Sequence, residues 1–159
     1  TPKPSSAASD VYKRQVFNPD AAPKDHNEFL AWYEEATEWE DDGTYNNPAS
    51  AHPKLYQWYK DMQEEFPDMN GEYSDEYIES VGSNATGYSF GPNIIYIDFR
   101  WSVADRAAYV ALTLAQKHTI GFFDPQSETL YFPDGRHNLI PLEQPREEKE
   151  AKKPWWKLW

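Results

Sequence analysis

The sequence predicts an α+β fold: a ferredoxin-like sandwich of order β-αα-β-β-α-β-β, with an antiparallel sheet and the helices packed on one face. Three observations predict it. Apolar spacing switches between alternation and the helical period along the chain, Gly, Pro and Asn clusters punctuate the switches, and no internal repeat competes with a single α+β unit.

The first strand is centred on Val16-Phe17 together with the residues before it, and Asn18-Pro19 stops it. The stretch Asp25 to Glu38 then turns helical: Phe29, Leu30, Trp32, Tyr33 and Ala36 share one face, and Asp25 with Glu28 has capping-box spacing. Asp41 to Ala51 is a turn-rich connector, followed by a second helix from Pro53 with Leu55, Trp58, Tyr59, Met62 and Phe66 at helical intervals. Met69 to Thr86 is acidic and rich in Gly and Ser, and is expected to be a mobile loop.

YSFGPNIIYIDFRW, Tyr88 to Trp101, reads as a hairpin turning at Gly91-Pro92-Asn93, with Ile95, Ile97, Phe99 and Trp101 on one face of its second strand. Ser102 with Asp105 is expected to cap a third long helix whose buried stripe is Val103, Ala107, Val110 and Leu114. TIGFFD and TLYFP, joined by PQSE, supply the last two strands.

Three regions follow from this reading: a leader, residues 1–15; one α+β domain, residues 16–142; and a charged linker with a Trp-rich tail, residues 143–159. Ser5 to Gln15, SSAASDVYKRQ, resembles the translation of a transposase-type sequencing adapter. Thr1 to Gln15 is therefore expected to be non-native and disordered, with a metagenomic coding segment starting near Val16.

A formal net charge of −12 over 159 residues opposes phosphate binding, so nucleic acid is excluded as a partner and a basic protein is favoured. Cysteine is absent, which removes disulfides and thiolate metal sites; no apolar stretch approaches the length needed to span a bilayer and no signal peptide is visible, so the cytoplasm is the expected compartment. The four histidines, His26, His52, His118 and His137, lack the close spacing of a zinc site, and neither an EF-hand pattern nor a phosphate-binding glycine loop occurs. No metal or cofactor is expected.

FNPDAAP (Phe17 to Pro23), FPDMNG (Phe66 to Gly71), FRWSVA (Phe99 to Ala104) and KHTIGFFD (Lys117 to Asp124) together resemble a broad group of small acidic bacterial proteins without an established activity. Some of that group look like accessory or immunity-type components of bacterial competition systems. The resemblance implies a bacterial source and the α+β fold, and no mechanism.

Two places could carry function. His118 and Asp124, at the two ends of a helix-to-strand connection, could line a pocket in which a carboxylate orients a histidine base, although no activated nucleophile accompanies them. The second is the tail KPWWKLW, Lys153 to Trp159. Trp155, Trp156, Lys157 and Trp159 could staple back onto the domain, dock into a partner's groove, or touch a membrane surface weakly. The preferred expectation is a non-enzymatic acidic binding protein, an immunity- or defence-type protein that engages a basic partner and uses the tail as a recognition motif. The alternatives are a small enzyme or ligand-binding domain at His118 and Asp124, and peripheral membrane association.

Overall fold

A computed structural model of the chain describes residues 11–38 and 44–142. In chain order its elements are β1 (Val11–Phe17), α1 (His26–Ala36), α2 (Pro53–Met62), α3 (Asp75–Val81), β2 (Gly87–Phe90), β3 (Ile94–Arg100), α4 (Ala104–His118), β4 (Gly121–Asp124), β5 (Thr129–Pro133) and β6 (Leu139–Pro141). The six strands form one antiparallel sheet in the order β2-β3-β1-β4-β5-β6. Its first four strands have the neighbours of a ferredoxin-like sandwich, and β5 and β6 extend the edge beyond β4.

β1 is central. It pairs with β3 from Val11 opposite Arg100 to Phe17 opposite Ile94, and with β4 from Gln15 opposite Phe123 to Phe17 opposite Gly121. This corrects the expectation of a disordered leader for Val11–Gln15, because a ladder is made by backbone groups and accepts any side-chain sequence without proline. The fit is imperfect at Gln15, which is fully buried with both side-chain polar atoms unpartnered.

Side chains alternate along the strands and build two separate cores. On one face Val16, Ile95, Ile97, Phe99 and Phe122 meet Leu55, Trp58 and Met62 of α2 and the alanines of α4. On the other, Phe17, Ile94, Phe123, Leu130 and Phe132 meet Phe29 of α1, with Trp32 and Tyr33 alongside. The helices are therefore not all on one face, as the sequence reading had them: α2 and α4 share one layer and α1 lies on the opposite one. Chain direction is the cause, since Phe17, the last residue of β1, points to the second face and meets Phe29 of α1 with ring centroids 4.9 Å apart and planes tilted by 56°.

α4 also differs in its buried stripe, which is Ala104, Ala107, Ala111 and Ala115, while Val103, Val110 and Leu114 are only partly buried at its flanks. Small residues let the helix axis come close, and the Trp58 indole N–H donates to the Ala111 carbonyl at 3.1 Å inside that contact. The expected Ser102 cap is absent as well: a short 3-10 turn, Trp101–Val103, precedes the helix, and Val103 occupies the cap position without a side-chain bond. By contrast Asp25 Oδ2 accepts from the Glu28 N–H at 3.0 Å, and Pro53 begins α2.

Candidate functional site

A densely bonded buried polar group lies where α2 runs out. Phe66 is fully buried and meets Phe99 edge-on at 5.5 Å, which carries the chain back against the sheet. Asp68, 3% exposed, follows within FPDMNG. Its Oδ2 accepts from the Tyr59 hydroxyl at 2.8 Å, its Oδ1 from the Asn70 N–H at 2.9 Å, and its own N–H donates to Gln63 Oε1 at 2.8 Å. The backbone on either side pairs with Thr86, whose N–H donates to the Pro67 carbonyl and whose carbonyl accepts from the Met69 N–H, both at 2.9 Å.

Burial pushes the Asp68 carboxyl above the ordinary range, with the bonds from Asn70 and Tyr59 acting against it. Tyr59 is raised as well, by burial first and then by the facing carboxylate. Gly71 closes the turn: a Cβ there would stand 3.2 Å from Asp68 Cβ and 3.4 Å from the Tyr59 hydroxyl, so any larger residue would press on the pair.

This anchored turn presents α3, in the stretch that the sequence reading took for a mobile loop. Ser74 Oγ caps the helix by accepting from the Tyr77 N–H at 3.1 Å, and Asp75 and Glu76 occupy its first turn. Ile78 and Val81 are half-buried beneath it. Outward it carries an aromatic pair, Tyr73 and Tyr77, 37% and 41% exposed, with ring centroids 5.0 Å apart and planes at 32°. Glu72, Asp75, Glu76 and Glu79 are exposed around the pair. No cation among the described residues lies within ion-pair distance of these four. An open cleft of about 510 Å3 beside α3 is lined by Asp75, Ile78, Glu79 and, from β3, Arg100.

The structure does not join the two residues proposed as a pocket. His118 Nε2 lies 2.7 Å from Asp61 Oδ2 of α2, which also accepts from Lys117 Nζ at 2.9 Å. Asp124 instead pairs with Arg14 at 3.2 Å and holds the β4–β5 turn, accepting from the Gln126 N–H at 3.0 Å and the Ser127 hydroxyl at 2.9 Å. Each is bonded to a different element, His118 to α2, and Asp124 to β1 and its own turn. Trp155, Trp156, Lys157 and Trp159 lie outside the described residues.

The other histidines stay apart: His26 Nε2 donates to the Glu128 carbonyl, His52 caps α2, and His137 meets the Gln116 carbonyl. Among the described residues no group of three or more His, Asp and Glu is placed to hold a metal, and no helix is long and apolar enough to cross a membrane.

Asp68 and α3 escaped the sequence reading, yet signals for both were present. Ser74-Asp75-Glu76 is a helix start, and an aspartate two residues before Asn-Gly has the spacing of a side chain that bonds its own turn. Comparison with protein-family models, with curated proteins and with solved structures finds no match.

Proposed function

We propose that the chain is a non-enzymatic acidic binding protein that engages a basic protein partner, of the kind that would neutralise a basic toxin or nuclease. One observation carries the reading. Between Lys60 and Arg100 the sequence contains no Lys, Arg or His, and it holds nine carboxylates: Asp61, Glu64, Glu65, Asp68, Glu72, Asp75, Glu76, Glu79 and Asp98. Three of these are offset by ion pairs reaching in from other segments, Asp61 by Lys117, Glu65 by Arg106 and Asp98 by Lys13. The exposed remainder concentrates on and around α3, beside tyrosines of the type that anchors protein interfaces. A field of one sign next to aromatic surface raises the encounter rate with a cationic protein and disfavours anionic ones.

In this reading KPWWKLW is a second, separate recognition element, with Trp155, Trp156 and Trp159 as anchors and Lys157 between them. The test is titration of the full chain against small basic proteins and size-matched acidic ones at low and high salt. Binding confined to the basic set and weakened by salt supports the proposal, and indifference to partner charge overturns it. Deleting Pro154 to Trp159 should weaken capture while leaving the melting temperature unchanged. A large fall in melting temperature would make the tail a staple of the fold instead.

A further inference from the structure

We infer that the exposed Tyr73–Tyr77 pair is the seat of an arginine side chain of the partner; this rests on the acidic-binding reading above and adds the residue type that the surface selects. The two rings stand together at the head of α3, each more than a third exposed, on backbone held by the Asp68 turn. Glu72 and Glu76 are exposed directly beside them in sequence, and no cation of the chain's described part pairs with either. Burial first, then the neighbouring Tyr77 and the charges of Asp68 and Glu72, push the Tyr73 phenol upward. Arg100 lines the cleft beside α3 with Asp75 and Glu79, and neither Glu72 nor Glu76 faces that cleft.

A planar guanidinium can stack on a tyrosine face and fork onto a carboxylate at the same time, whereas an ammonium offers only a compact, strongly hydrated charge. The chain holds a looser internal version of this combination, a fork with a ring at the edge of cation–π distance. Arg106 donates through Nε and Nη2 to the two oxygens of Glu65 at 2.6 and 2.9 Å while its guanidinium lies 5.8 Å from the Tyr109 ring centre. Tyr73 and Tyr77 with Glu72 and Glu76 offer the same two ingredients with the arginine missing, and a basic partner supplies it.

The experiment is calorimetric titration of the full chain with oligo-arginine and oligo-lysine peptides of equal length at low salt. The arginine peptide should bind about two- to fivefold more tightly for each guanidinium seated on a ring. Tyr73→Leu/Tyr77→Leu keeps apolar bulk without an aromatic face, so it should equalise the two peptides and leave lysine-peptide affinity unchanged. Tyr73→Phe/Tyr77→Phe should keep the preference, and Glu72→Gln/Glu76→Gln should weaken both peptides. If the wild type shows no arginine preference, or the leucine variant keeps it in full, the arginine seat is overturned while the acidic-binding reading stands. If the wild type binds neither peptide, that reading fails and the seat fails with it.

Discussion

The Tyr59 hydroxyl donates to Asp68 Oδ2 at 2.8 Å, so the last turns of α2 are tied to the turn that launches α3 by a bond between two buried side chains. Burial raises the Asp68 carboxyl, so the folded state holds its proton more firmly than the unfolded state does. Stability must then fall as pH rises through the window above the ordinary carboxylate range, and level off once both states are ionised. Urea unfolding across that window should show the slope in the wild type and its loss in Asp68→Asn. Tyr59→Phe removes a bond that holds the carboxyl down, so it should extend the window upward and cost about 1–3 kcal/mol where Asp68 is charged.

A second pH dependence has the opposite sign. Burial pushes the Asp61 carboxyl up, but hydrogen bonds from His118 and Lys117 outweigh it and leave the group below its usual range. Its contribution is therefore present above the unfolded-state value and disappears as acid protonates the folded state. Lys117 is exposed and Asp61 partly so, and Asp61→Asn should therefore cost only about 0.5–1 kcal/mol at neutral pH. The gap between variant and wild type should close in acid and shrink in high salt, which parallel thermal melts would read.

Gln15 gives a prediction of stabilisation. Its amide is fully buried between the β3 and β4 ladders with neither polar atom bonded, and such a group costs about 1–3 kcal/mol relative to an apolar residue of similar shape. Gln15→Leu should raise the midpoint of chemical unfolding by a corresponding amount without changing its slope. An unchanged midpoint would mean that the amide is satisfied in solution.

Much of this architecture was legible in the sequence because it rests on local periodicity. Phe29, Trp32 and Tyr33 on one side of α1, Leu55, Trp58, Tyr59 and Met62 in α2, and Ile95, Ile97 and Phe99 in β3 all lie inward as their spacing implies. Trp101 breaks the β3 series, since the chain has already left the strand and the indole is 54% exposed. What escaped was non-local. Periodicity does not say on which side of a sheet a helix lands, so α1 was assigned to the wrong layer. Nor does it say that a close helix contact favours alanine over valine, which shifted the buried stripe of α4. His118 and Asp124 looked like partners because they are near in sequence, but their actual partners, Asp61 and Arg14, are far along the chain and were invisible until the fold brought them together.

The placement of α1 also bears on where recognition can happen. In a two-layer α+β sandwich the bare side of the sheet is a natural platform for a ligand or a second subunit. Here Phe29, Trp32 and Tyr33 roof over the apolar part of that platform. That part of the sheet is thereby closed to a ligand, while α3, a short helix on a well-anchored turn, keeps its carboxylates and tyrosines exposed.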